Sequence, residues 1–345
     1  MFRMIMSLAV ALTLFLGHAT AGAEEFYKGK NLRMLVGFSP GGGYDTYTRF
    51  VARYIRHYIP GSPTPVVQNL PGAGSLVTAN FIYKKAKPDG LTLGVWSPGL
   101  VLAHAMGDKK VKIVPRRFGI IGVPTRDAVA CAIMGRTGLK TLDDIVKSGR
   151  ELKMGGTRAP GITTDPFLFL NRELGTRFKS ITGYGGTARV RLAMDKGEVD
   201  GACWTWDSMR VTARGMLDNT GDRKLIPFII AQRRDNPEVK DLPLFQEVLT
   251  GENLEAFKVW NLQNGITRIF TLPPGTPKDR TAILQRAFKS VTENPDFLAD
   301  AKKADVSVDY VPPREIRNAL IGFDTMAPDI REYLRVLTGF KKPKP

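Results

Sequence analysis

Cysteine and histidine are scarce. The 345-residue chain holds two Cys and three His, which removes several chemistries at once. Cys131 and Cys203 cannot form a disulfide scaffold, and both stand in apolar runs that read as strands. Buried free thiols are therefore the expectation, with a single bridge as the alternative. Neither C-x-x-C nor H-E-x-x-H occurs, and past residue 23 only His57 and His104 remain. No metal site is expected, and both histidines read as surface or structural residues. Nucleotide fingerprints are missing too. Gly41-Gly42-Gly43 is followed by no Lys-Ser or Lys-Thr, and its spacing is not G-x-G-x-x-G. Gly72-Ala73-Gly74-Ser75 is no nucleophile elbow, and two histidines make a catalytic triad a poor reading. The longest apolar run, Met4 to Leu16, falls short of the ~20 residues that span a bilayer.

That run has a different use. Arg3 precedes it and the small residues Ala21-Gly22-Ala23 come after, so 1–23 reads as a secretory signal cleaved near Ala23. The chain has an ordinary globular composition, 43% hydrophobic and 24% charged, and is long enough for two folded units. Lys and Arg total 50 against 33 acids. Such an excess favours anionic partners, and export together with the lack of a nucleic-acid motif favours small anions over nucleic acid.

Short apolar runs, glycine-rich turns and amphipathic helices alternate along the chain, the pattern of an α/β protein. In the first unit a strand over Leu32–Phe38 leads into the turn from Ser39 to Asp45. A helix comes next, its stripe running through Tyr47, Phe50, Val51, Tyr54, Ile55 and Tyr58, with Arg49, Arg53 and Arg56 off the stripe and Asp45 as its cap. In the second, Leu152–Met154 precedes a loop from Gly155 to Thr164. Asp165 then caps a helix that starts at Pro166 and runs to Leu174. In the third, Lys179–Thr182 leads through Gly183-Tyr184-Gly185-Gly186-Thr187 into a helix closed by Gly197, and then into a strand from Val199 to Trp206. On that strand Trp204 and Trp206 share a face, where they pack in the core or stack on a ligand. Three glycine loops, each ending at a helix N-terminus, suit a carboxylate or phosphate.

The run LRMLVGFSPGGGYDTYTRFVARYI, then VVQNLPGAGSLVTANFI, then KPDGLTLG, resembles the periplasmic solute receptors of tripartite tricarboxylate transporters, the Bug family. The likeness continues through TGYGGTARVRLAMDKGEVDGACWTWDS, LPLFQEVL and PPGTP, covering most of the mature chain.

The resemblance implies a two-lobed type II, Venus-flytrap binding protein with a mixed, mainly parallel sheet in each lobe. Residues 24–123 and 229–345 would form the first lobe and 124–228 the second, with crossings near Gly122–Thr125 and Pro227–Gln232. It implies capture of a small organic carboxylate and delivery to membrane permease subunits, by a periplasmic monomer that needs no cofactor and catalyses nothing. A secreted enzyme acting on acidic small molecules and a sensor for a membrane kinase are the alternatives. By the same resemblance the ligand residues would be Ser39, Gly41, Gly42, Gly43, Tyr44 and Asp45, with Asn69, Gly72, Ala73 and Gly74. From the second lobe come Gly156, Thr157, Thr163, Thr164, Tyr184, Gly185, Gly186, Thr187 and Asp207. Tyr44 stands where the family has a small residue, and Ala188-Arg189-Val190-Arg191 replaces its usual Pro-Ala. Arg158, Arg189 and Arg191 are candidates to clamp a second carboxylate, although Arg189 and Arg191 cannot both point inward.

Overall fold

The computed structural model describes residues 25–233 and 236–340. The segment 1–23, expected to be a signal, and the basic tail 341–345 lie outside the described residues. Ten strands occur. In chain order the first four are β1 (Asn31–Val36), β2 (Thr64–Asn69), β3 (Thr92–Trp96) and β4 (Gly119–Gly122). Next come β5 (Val129–Met134), β6 (Glu151–Gly155), β7 (Arg177–Ile181), β8 (Gly201–Thr205) and β9 (Leu225–Ile230), and then β10 (Ile269–Leu272). They form two five-stranded sheets, ordered β2-β1-β3-β10-β4 and β7-β6-β8-β5-β9. In each sheet four strands run one way and one is reversed. β10 is antiparallel to both β3 and β4, and β5 to both β8 and β9. The reversed strand is in each case the first to arrive from the other sheet. With helices on their faces, the sheets make a two-lobed α/β protein.

Central strands are buried along their whole length, as β3 (TLGVW), β5 (VACAIM) and β8 (GACWT) show. Continuous apolar runs of this kind are what a sheet covered on both faces requires. Alternation decides which face each residue serves: on β5, Val129, Cys131 and Ile133 enter one core, while Ala130, Ala132 and Met134 enter the other. Cys203 on β8 shares the Cys131 face and is its direct register partner. The two are bonded as a disulfide. The expectation of free thiols is thus corrected, because strand register, which sequence does not display, sets the two sulfurs side by side.

The helix Gly43–Ile55 buries Tyr47, Phe50, Val51 and Ile55 as its period requires, and Arg56–Tyr58 tightens into a 3₁₀ turn. It packs on β2 and on the helix Lys278–Glu293. Three readings are corrected. β8 ends at Thr205, so Trp206 and Asp207 open the helix Trp206–Thr212 instead of extending the strand. The register with β5 ends at the pair Val129–Thr205, and after one further bond, from the Trp206 N–H to the Ala128 carbonyl at 2.7 Å, the chain turns into the helix. Asp165 is likewise the first residue of its helix, with Thr164 at the cap position, and Asp45 is the third residue of its own, with Gly42 at the cap. After β9, the helix Gly251–Asn261 packs on the helices Asp165–Leu174 and Pro328–Leu337. Phe257 stacks on Phe245 at 4.9 Å and meets Phe169 edge-on at 5.4 Å.

Candidate functional site

Between the sheets lies a cavity lined from the first-sheet side by Phe38, Gly42, Gly43, Tyr44 and Arg268. From the second-sheet side come Thr157, Ile162, Thr163, Thr187, Trp204, Thr205 and Ser208. Its volume is about 30 Å³, counted at the centre of a water-sized sphere, which is room for roughly two waters. That is too little for a solute of several heavy atoms.

Two glycine loops meet here because each ends at a helix N-terminus, where the first N–H groups have no partner within the helix. One opens the helix Gly43–Ile55, and the other the helix Thr187–Asp195 with Gly186 at its cap. The Ser39 N–H donates to the Gly185 carbonyl at 2.9 Å, joining the loops across the cleft. A Cβ on Gly42 would lie 2.9 Å from Thr187 Oγ1, and one on Gly43 only 2.1 Å from Ser208 Oγ. Glycine at 43 is therefore demanded by the approach of the opposite lobe, not by a turn.

The first loop is braced from behind. Asp45 accepts from the Gly41 N–H at 3.0 Å, from Arg49 Nε at 2.9 Å and from Asn69 Nδ2 at 2.9 Å, and Asn69 also donates to the Phe38 carbonyl at 2.8 Å. Burial opposes the charge on Asp45, but the bonds from Arg49, Gly41 and Asn69 outweigh it and hold the carboxyl below its usual range. Asp45 and Asn69 thus shape the loop without lining the cavity. In the second lobe the Thr157 N–H donates to Thr163 Oγ1 at 2.9 Å, fixing two of the lining hydroxyls. Thr164 turns to the Arg158 carbonyl, 2.9 Å away, and packs under Gly156.

Of the nineteen residues carried over from the resemblance, Gly42, Gly43, Tyr44, Thr157, Thr163 and Thr187 line the cavity. Ser39, Gly41, Gly185 and Gly186 form its rim between the lobes: the Gly41 carbonyl accepts from Arg191 Nη2 at 2.9 Å, and Gly186 lies against the Ser39 backbone. Gly72, Ala73 and Gly74 form a left-handed turn whose end faces Arg158. Tyr184 is half-buried beside Gly155. The carboxylate of Asp207 accepts from Ser307 at 2.9 Å, and neither residue is among the lining.

Arginines from the second lobe clasp the first. Arg158 pairs with Asp108, Arg210 with Asp305, and Arg191 reaches Gly41 while donating to Thr212 at 2.8 Å. Burial pulls the Arg191 guanidinium down to about 10. Among the described residues Arg189 makes no such contact, in keeping with its position two residues away on the same helix.

Arg268 escaped the sequence reading. It is 1% exposed, and its Nη2 donates to Asp127 at 2.7 Å and to Thr205 Oγ1 at 2.8 Å. Its guanidinium carbon sits 4.2 Å over the Tyr47 ring. Burial disfavours the charge, and Asp127 and Tyr47 more than restore it, so the guanidinium stays above its ordinary value. Asp127 also accepts from the N–H groups of Ala128 and Asp207. The one signal in the sequence was a charge set against an apolar run on each partner: Arg268 before Ile269-Phe270, and Asp127 before Ala128-Val129. Phe38, Ile162, Thr205 and Ser208 gave no signal of their own.

Among the described residues no group of three or more His, Cys, Asp or Glu is placed to hold a metal, and no helix is long and apolar enough to cross a membrane. His57 is exposed, and His104 is half-buried at the end of the helix Gly99–Ala105.

No family model and no curated protein sequence matches the chain. Solved structures do. The periplasmic binding protein BugD is 19% identical, with 90% of this chain and 98% of that one covered at a TM-score of 0.72. Rpa4515 of R. palustris with adipate is 15% identical, covering 90% and 97% at 0.71. MatC (Rpa3494) from Rhodopseudomonas palustris with bound malate is 21% identical, covering 90% and 99% at 0.66. Together with the paired sheets and the cavity between them, these overlaps give the chain the two-lobed fold of the periplasmic binding proteins.

Proposed function

We propose that the chain is a periplasmic solute receptor that captures a small organic carboxylate between its lobes and delivers it to the membrane permease subunits of a tripartite tricarboxylate transporter. The observation that carries this reading is the meeting of two glycine loops, each at a helix N-terminus, across one cavity. Partial positive charge and unpaired N–H groups converge there from both lobes, with hydroxyls of Thr157, Thr163, Thr187 and Ser208 around them. Malate and adipate in the similar structures are acids of the same class. In this reading 24–123 and 229–345 make the first lobe, 124–228 the second, and the exported protein acts as a monomer without catalysis. The carboxylate is held by backbone and hydroxyl groups, and the ligand stabilises the closed form through contacts that only that form offers.

Native mass spectrometry of freshly purified protein tests the reading: a co-purifying small acid is expected, and hydrolysed products in its place would show an enzyme. Gly42→Val supplies the control. Its side chain would meet Thr187 across the cleft while Gly42 keeps an ordinary φ of −94°. Binding should be lost with the fold retained, and unaltered affinity in calorimetry would remove the loop from the site.

A further inference from the structure

Arg268 is the only ionised side chain among the described residues lining the cavity. Its charge is already matched by Asp127. Its Nε, however, is buried and has no hydrogen-bond partner among the described residues, and the same holds for Trp204 Nε1 in the cavity wall. Unmet N–H groups in a buried site are costly unless something accepts from them. Around them stand Phe38, Tyr44 and Ile162.

From this we infer that Arg268 and Trp204 read the end of the ligand remote from its carboxylate, and that this end is an uncharged acceptor. The inference rests on the reading of the cavity as a carboxylate receptor's ligand seat, and it narrows the ligand to a monoanion: one carboxylate, a short apolar middle, and a carbonyl, amide or hydroxyl oxygen at the far end. The reason is charge. The Arg268–Asp127 pair is neutral as a unit and fully buried, so a second carboxylate there would leave one net negative charge out of water beside Asp127. A neutral oxygen satisfies the waiting N–H groups and adds no charge. The Tyr47 ring beneath the guanidinium closes one of its faces, so a ligand meets it from the cavity side.

Isosteric acids separate the possibilities by calorimetry on the full mature chain. Succinate, succinamate and butanoate share one skeleton, as do glutarate, glutaramate and pentanoate; terephthalate, 4-carbamoylbenzoate and 4-methylbenzoate cover the aromatic case. The half-amide of the best-fitting set should bind at least ten-fold tighter than both its diacid and its plain acid. Trp204→Phe, which removes one N–H and little volume, should cost the half-amide several-fold and leave the plain acid unchanged. Asp127→Asn leaves the Arg268 charge unmatched, and the diacid should then overtake the half-amide. If that variant does not fold, the wild-type and Trp204→Phe titrations still decide. A diacid or plain acid that binds wild type as tightly as the half-amide overturns the inference and leaves the receptor reading standing. Failure of every acid to bind overturns both.

Discussion

In each lobe an aspartate in the first turn of a helix reaches back four residues to a glycine N–H, Asp45 to Gly41 at 3.0 Å and Asp165 to Gly161 at 2.8 Å. The device is shared, but the surroundings are not. Asp45 also meets Arg49 and Asn69, which hold it ionised. Asp165 is wholly buried and meets Trp260 and Thr164; burial pushes its carboxyl up to about 6 against the bonds that oppose it. One geometric motif thus fixes a loop in both lobes, while complete burial raises the carboxyl of Asp165 and the bonds from Arg49, Gly41 and Asn69 lower that of Asp45. The first loop is braced within its own lobe. The loop 183–187 is met across the cleft at its Gly185 carbonyl by the Ser39 N–H, while Arg191, from the helix that follows it, reaches the other way to the Gly41 carbonyl.

The largest test of that difference is Gly43→Ala. Its methyl would overlap Ser208 of the opposite lobe without disturbing its own. Each lobe should fold, the pair should stay open in small-angle scattering, and affinity should fall more than a hundred-fold; a partial return is expected on adding Ser208→Gly. A compact protein with native affinity would show that the lobes do not close in this way. Next in size is reduction of the Cys131–Cys203 bond, which spans 72 residues within the second lobe. A loss of about 2–5 kcal/mol is expected. Hydrogen exchange should place it in β5 and β8, with β1 and β3 unaffected, and equal loss in both sheets would contradict the assignment.

The two aspartates then give opposite pH slopes. Asp45, held low in the folded chain, contributes stability that is complete above the ordinary carboxylate value of 3.8 and is lost as pH falls through its folded value. Asp165, raised to about 6, makes the folded chain take up a proton first, so stability rises as pH falls from about 6 towards 3.8 and declines as pH climbs back. Urea titrations at stepped pH should show the slope between 4 and 6 flatten in Asp165→Asn, and that below about 4 flatten in Asp45→Asn. The smallest effect is expected from Arg49→Gln. Its side chain is 48% exposed, so solvent screening limits the loss to under about 1 kcal/mol, with ligand affinity reduced a few-fold in calorimetry.

Local patterns carried most of the architecture. The alternation of apolar runs and glycine turns foretold the three glycine loops that contribute to the cavity wall, because turn chemistry and helical period are local. What the sequence hid was non-local. Trp206 looked like strand because nothing nearby records where β5 starts. The cysteines looked separate because their register is a property of the sheet. Arg268 drew no notice because Asp127, which neutralises it, stands 141 residues away in the sequence. Within the site, residues that contribute bare backbone were easier to read than those that contribute an ordinary side chain, such as Ser208 or Ile162, since glycine repeats stand out in a sequence and single hydroxyls do not.

The interleaving of the strands sets an order of events during folding. β5 to β9 are contiguous, so the second sheet has all its members once Ile230 has emerged. The first does not: β3 and β4 are separated by a seam that only β10 fills, and β10 begins at Ile269. Until then two buried strands present unsatisfied backbone edges, open to pairing with another chain. Closing that seam requires a contact between distant parts of the chain, the slow kind. The first lobe, although the chain begins in it, is therefore finished last, and a chain cut short before Ile269 would carry one complete lobe attached to an adhesive one.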